Sequence, residues 1–277
     1  TDKTLTERLQ NFSTLKSDGI DKKRGFNEIL NSPVFRNFVI SEDGTTTGII
    51  VNIKEDKILK ELIIKNNSYK QKIKNKKIKV VIFNDGSKDN TVKNAKLFKN
   101  KLKIHFIDNK KNQGLGIAVY SLFLYFKKKS RTNDKLVLMD CDNTHDPEKI
   151  IEMDKKAGRR KNIVIIASRY QKGSQVKNVP FKRKILSHLA FITLNIFYRT
   201  KGIRDFTSGY RLYDKQAVNN FFLTLESKYY PKSGFEMQLE LILKLRKTNV
   251  QFSEVPFILD YKKKPTKSKM KIFKTIL

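Results

Sequence analysis

From about residue 78 the chain alternates short, wholly apolar runs with helical stretches, and this alternation narrows the fold more than any other feature. The runs are IKVVIF (78–83), LKIHFID (102–108), KLVLMD (135–140) and NIVIIAS (162–168). Each is rich in Val and Ile at successive positions, so both faces of each strand require burial. Such strands separated by helices predict an α/β fold, a mostly parallel sheet flanked by helices. One more apolar run, GIIVNI (48–53), lies upstream, followed by a helical stretch at 54–73. It predicts a first strand parallel to 78–83, with 57–72 as the crossover helix. Residues 1–46, polar and helical in pattern, are expected to form an N-terminal appendage. Residues 47–277 then form the main domain, with 47–77 as its atypical first strand and helix.

Composition removes several function classes. Hydrophobic residues make up 39% of the 277, enough for one large domain. No run of 18 apolar residues exists, so no membrane-spanning helix is expected. A single Cys excludes a disulfide framework or a cysteine-rich zinc module. Three His leave little for a histidine-built metal site and point to carboxylate ligands. The start, TDKTLTERLQNF, is polar and has no apolar core, so no secretory signal is expected there.

The net charge of +32 is uneven. Residues 1–76 hold 15 basic and 10 acidic residues, and the remaining 201 hold 44 and 17. A charged partner would therefore meet the second part: nucleic acid, an anionic membrane surface or a phosphate-bearing substrate. A lysine-rich composition without functional meaning is the alternative. Nucleic-acid binding calls for basic residues interleaved with aromatics on one face. The motifs here cluster at strand ends instead, and no nucleic acid is expected.

Three segments carry chemistry. DCDNTHDP (140–147) opens at the end of the run KLVLMD, where α/β sheets bind ligands. Asp140 and Asp142, one residue apart, can reach one Mg²⁺ or Mn²⁺ and the diphosphate it bridges. Asp146-Pro147 reads as a helix cap. NDGSKDNT (84–91) ends IKVVIF, and Asp85 there could accept hydrogen bonds from a nucleoside base. NQGLGIA (112–118) lets a helix start close to the sheet, but it lacks the third glycine of the dinucleotide fingerprint.

These segments are followed in order by SRY (168–170), FKRKILS (181–187), DFTSGYRLY (205–213), GFEMQLELILKL (234–245), EVPF (254–257) and SKM (268–270). The series resembles family 2 glycosyltransferases of the dolichol-phosphate mannosyltransferase and polyprenyl-phosphate glycosyltransferase type, over about residues 78–277. The resemblance implies a GT-A (Rossmann-like) fold, an inverting hexosyl transfer, a GDP- or UDP-hexose donor, Mg²⁺ or Mn²⁺, and a polyprenyl-phosphate acceptor. It implies that Asp85 binds the base and Phe83 lines its pocket. Asp140, Cys141 and Asp142 would sit on the donor diphosphate, with Asp142 the foremost metal ligand. Arg169 and Arg183 would serve phosphates rather than the fold. Lys263 and Lys269 would close over the donor. Lys263 stands where an arginine is usual and lacks the bidentate fork. Asp205 is a candidate base, or an orienting partner of Arg211. His145 and His188 are not expected to be catalytic.

The apolar stretch 185–198 is preceded by Lys182, Arg183 and Lys184 and followed by Arg199 and Lys201. It reads either as a core helix or as a helix lying in a membrane interface, and the resemblance favours the interface. The expected location is peripheral, at the cytoplasmic membrane face. The family's Pro-x-Tyr-Asn-Glu loop is altered: Glu55 keeps the glutamate, while Val51 and Ile53 replace the proline and the tyrosine. Residues 1–65 resemble a porter-domain fragment of RND-type exporters. That opens a second reading, a catalytically impaired fusion of a transporter fragment with a transferase domain.

Overall fold

A computed structural model describes residues 49–50, 79–87, 92, 96, 104–140, 144–227, 229–231, 234 and 236–263. The appendage expected over 1–46 and the crossover helix expected over 57–72 lie outside these residues. The strands are β1 (Ile49–Ile50), β2 (Val80–Asp85), β3 (Ile104–Asn109), β4 (Lys135–Leu138), β5 (Ile163–Ser168), β6 (Gln175–Lys177), β7 (Arg211–Asp214), β8 (Gln251–Pro256) and β9 (Ile258–Asp260). The helices are α1 (Leu115–Lys129), α2 (Lys149–Ala157), α3 (Phe181–Phe197), α4 (Lys215–Leu223) and α5 (Glu236–Leu245).

Seven strands form one sheet in the order β3-β2-β1-β4-β7-β5-β8, and β6 pairs with β9. The apolar runs read from the sequence become β2 to β5. Their side chains alternate between two cores, as a period of two demands. Val80, Ile82, Val137, Ile163 and Ile165 face Ile150, Met153 and Ala157 of α2. Val81, Phe83, Leu136, Leu138, Val164 and Ile166 face α1, α4 and α5. Ile49 and Ile50 lie parallel to β2, with Ile49 opposite Val80, and also pair with β4. The first strand is thus where the upstream apolar run predicts it.

One strand breaks the parallel pattern. β7 runs antiparallel between β4 and β5, and Arg211 stands opposite both Leu138 and Ile166. The loop that enters β7, residues 205–210, therefore lies at the carboxyl ends of β4 and β5. Two strand spacings, about 10 Å, separate those two ends. The loop is pinned there: Ala167 donates its backbone N–H to Tyr210 O at 2.9 Å, and the Ser208 hydroxyl donates to Ala167 O at 2.8 Å.

The far end of β7 is tied by Asp214. Its carboxylate caps α4 by accepting from Ala217 N at 3.0 Å, and it also accepts from Asn162 N and Ile163 N at 2.8 and 3.0 Å. Asp214→Ala removes a cap and leaves buried N–H groups unpaired, so we expect a loss of about 3 kcal/mol, measured by urea unfolding.

Candidate functional site

Among the described residues, the candidate ligand-binding side chains Asp85, Asp140 and Arg169 stand at the carboxyl edge of the sheet, where β2, β4, β5 and β8 end and loop 205–210 enters. At its centre is Arg169, immediately after β5. Its Nε and Nη2 donate to the two oxygens of Asp205 at 2.8 and 2.7 Å, and its backbone N–H donates to Asp205 as well. Nη2 also donates to the Thr207 hydroxyl. Among the described residues, Nη1 has no partner. Asp205 is fully buried and further accepts from Thr207 N and Ser208 N at 3.2 and 3.0 Å. Burial opposes its charge, but the Arg169 cation and these hydrogen bonds outweigh that and hold its carboxyl below the ordinary range. Burial likewise opposes the Arg169 cation, and Asp205 outweighs it, so the guanidinium is held above its ordinary pKa.

Two expectations change here. Asp205 pairs with Arg169, not with Arg211. Arg211 is buried and donates instead to the carbonyls of Gln238 and Phe206, both at 2.8 Å. Asp205 is also no free base, because its oxygens are filled and its proton affinity is lowered. Arg169, expected to serve phosphates rather than the fold, does serve the fold, by neutralising a buried acid.

Arg169 joins a second cluster. Its guanidinium lies 5.5 Å from the Tyr170 ring centre, and Tyr170 Oη donates to Ser187 O on α3 at 2.9 Å. Arg183, in the first turn of α3, sits 5.2 Å from the ring of Tyr261. Tyr261 begins the short turn Tyr261–Lys263, which ends at the expected donor-closing Lys263. Lys269 lies outside the described residues, as do Glu55, Cys141 and Asp142.

Asp140 follows β4, and its side chain is 40% exposed. Its backbone N–H donates to Nδ1 of His145 at 2.8 Å, which leaves the ring proton on Nε2, 4.0 Å from the Asp140 carboxylate. His145 stacks on Tyr210, whose hydroxyl donates to Asp146 O. Asp146 Oδ1 accepts from Glu148 N at 3.0 Å within the turn before α2, but the cap residue of α2 is Glu148, with no side-chain cap bond, so Asp146 is not the cap that the sequence suggests. Among the described residues, no three acidic, His or Cys side chains form a metal cluster. A strand-end carboxylate that is partly exposed fits the sparse oxygen set that Mg²⁺ or Mn²⁺ accepts when substrate phosphates complete it.

At β2 the outcome is mixed. Asp85 accepts from Gln113 N and Gly114 N, both at 2.8 Å, so its carboxylate anchors the start of α1. Gly114 takes φ 93°, which favours glycine. Phe83, expected to line the base pocket, is fully buried in the core beside α1. It shares its face of β2 with Asp85, two residues on, but lies deeper in the strand, where α1 covers it completely. Sequence reading also missed Glu254 and Thr207, whose motifs were visible but whose partners lie far away in the chain.

The glycosyl transferase family 2 pattern matches residues 49–222. The chain belongs to this family. The match begins at β1, so residues 49–65 fall inside it, and the porter-domain resemblance of residues 1–65 finds no support in these relatives. A dolichol-phosphate mannosyltransferase from Pyrococcus furiosus is 32% identical over 182 residues, covering 64% of this chain and 47% of the relative. A polyprenol monophosphomannose synthase from Mycolicibacterium smegmatis is 28% identical, covering 65% of each. The chain thus spans less than two thirds of the length of either. Solved structures agree on the fold. A glucosyl-3-phosphoglycerate synthase from Mycobacterium tuberculosis, bound to Mn²⁺, UDP and phosphoglyceric acid, superposes with a TM-score of 0.54 at 14% identity, covering 78% of this chain and 69% of that one. A mannosyltransferase from Pyrobaculum calidifontis, bound to GDP-Man and Mn²⁺, gives 0.52 at 13%, covering 86% and 63%. The expected GT-A fold is the observed one.

Proposed function

We propose that this family 2 chain transfers a hexose from a nucleoside diphosphate to a polyprenyl phosphate at a membrane surface. The observation that carries the proposal is Arg169, held by two edges on buried Asp205 with Nη1 left over, at the same sheet edge as Asp140. The names of the two sequence relatives support the acceptor class.

The chemistry suits these residues. A phosphate monoester has a second pKa of about 6, so it is largely ionised near neutral pH and needs no strong base. One of its oxygens attacks the anomeric carbon while the bond to the diphosphate breaks, and the electron pair leaves with the diphosphate oxygen. Arg169 holds and orients a phosphate, and its rigidity avoids reorganisation during the step. Asp140, with Asp142, would hold Mg²⁺ or Mn²⁺, which supplies charge stabilisation to the leaving diphosphate when bound. His145 keeps the Asp140 backbone in place and, with Nδ1 occupied, removes no proton. Arg183 and the Tyr261–Lys263 turn would add cations over the phosphates.

The acceptor surface is α3. Ile185, Leu189, Ile192 and Ile196 recur every three or four residues and are each between 41% and 69% exposed. Phe181 extends the same stripe, and Phe197, exposed beside it, widens the apolar surface at the far end. No residue of α3 with a described side chain is buried, which speaks against a core helix. Among the described residues, no helix is long and apolar enough to cross a membrane. The stripe suits an anionic interface, with flanking cations adding about 1 kcal/mol each near such a surface. We expect co-flotation with anionic vesicles that weakens as salt rises, and loss of it in Leu189→Glu/Ile192→Glu. Protein left in solution at every salt concentration would remove α3 from the reading.

The function itself is tested by incubating GDP- and UDP-hexoses and Mn²⁺ with a short polyprenyl phosphate, its pyrophosphate and its free alcohol. The expected product forms on the monophosphate. Donor binding without transfer to any lipid would sink the acceptor class, and absence of donor binding would sink the whole reading.

A further inference from the structure

We propose that Glu254 is a positioning residue that sets Arg169 for a phosphate by gripping the backbone of Asp205, and that it works as a hydrogen-bond acceptor rather than as a charge. The inference rests on the reading of Arg169 as a phosphate-holding group. Glu254 lies in β8 and is buried. One of its oxygens, Oε1, accepts from both Arg204 N and Asp205 N at 2.7 Å. Glu254 stands beside Ile166 of β5 in the sheet, so the same residue sits next to the strand that Arg169 follows.

The result is a stack of three layers. Glu254 fixes the backbone of residues 204–205. Asp205, fixed by its own N–H, turns both oxygens to Arg169. Arg169 then offers Nη1 to a ligand. Every link joins segments far apart in sequence, so no local turn can replace it.

No Lys or Arg among the described residues forms an ion pair with Glu254. Burial pushes its carboxyl above the ordinary range, nearby Asp205 adds to this, and the donated N–H groups only partly offset it. An acid placed without a cation beside a second acid gains nothing from its charge. What the site uses is an oxygen that takes two N–H groups at once, and an amide oxygen can do the same. Without that oxygen two buried donors lose their partner. The 204–205 backbone is then free to turn, and the Arg169 fork moves with it.

The test uses the whole chain labelled with ¹⁵N-arginine. The Nε–H of Arg169, donated to Asp205, is assigned by its disappearance in Arg169→Lys, and its exchange with solvent is measured. Glu254→Met keeps the length but has no acceptor. It is expected to speed Arg169 Nε–H exchange about tenfold or more and to lower kcat on the order of a hundredfold, the scale of a roughly 1 Å misplacement. Donor affinity should not change. Glu254→Gln should restore both exchange and kcat to near the parent's values, which a loss of mere bulk or charge would not allow. A folded Met variant with parental Arg169 exchange would overturn the proposal, and so would a Gln variant that behaves like Met. If the Met variant does not fold, the Gln variant decides alone, since it must retain both properties. Expected exchange changes in a parent that glycosylates no phosphate lipid would sink the functional reading and leave the positioning role standing.

Discussion

Arg169→Ala is expected to cost about 3–5 kcal/mol of folding stability, because it strands the fully buried carboxylate of Asp205 without its cation. It should also lower sugar transfer by about a hundredfold or more, the usual scale for losing one preorganised donor. A single substitution cannot separate these effects, and the double variant Arg169→Ala/Asp205→Ala does. Removing both partners removes the stranded charge, so much of the stability should return while transfer stays lost. Recovery of transfer along with stability would show that Arg169 acts only as a structural counterion. The pH dependence has a definite sign. Asp205 is held below its ordinary pKa in the folded parent, so the pair contributes fully above the ordinary carboxylate range. That contribution is lost as pH falls through the folded value. The stability gap between parent and Arg169→Ala should therefore narrow in acid, which thermal melts across pH 3 to 7 can check.

This coupling of fold and function marks the boundary of what the sequence reveals. Strands buried on both faces announce themselves, because IVIIAS (163–168) admits no other comfortable environment. β7 does not. Its sequence RLYD begins and ends with charged residues, yet all four are buried. Arg211 finds backbone carbonyls on α5 and in loop 205–210, and Asp214 finds three N–H groups and a helix start, none of which a local window shows. The same holds for the site. Asp140 and Arg169 are legible because each follows an evident strand. The partner of Asp205 is not, since Arg169 lies 36 residues earlier and Arg211 is the nearer cation in sequence. Phe83 misleads for a related reason. Sharing a face with Asp85 does not bring a side chain to the ligand edge, and two residues before the strand end Phe83 is already covered by α1.

Asp140→Ala should abolish the metal-dependent part of nucleotide binding, a loss of at least about a hundredfold, since even outer partners of a metal commonly contribute ten- to a hundredfold. The expectation follows from geometry. Asp140 presents an accessible carboxylate at the end of β4, while its backbone N–H is separately secured by His145. The His145 stack on Tyr210 and the Tyr210 hydroxyl on Asp146 O do not depend on that carboxylate. Asp146→Ala in the same loop is the control. Its carboxylate accepts from Glu148 N in the exposed turn before α2, so its loss should cost about 1 kcal/mol of stability at most and leave the metal response alone. The measurement is calorimetric titration of GDP and UDP with Mn²⁺, and again with EDTA. In EDTA the parent and Asp140→Ala should bind alike and weakly, and only the parent and Asp146→Ala should gain on adding Mn²⁺. Equal gains for Asp140→Ala and the parent would return Asp140 to the role of a plain strand-end residue and leave the metal, if one binds, to other carboxylates.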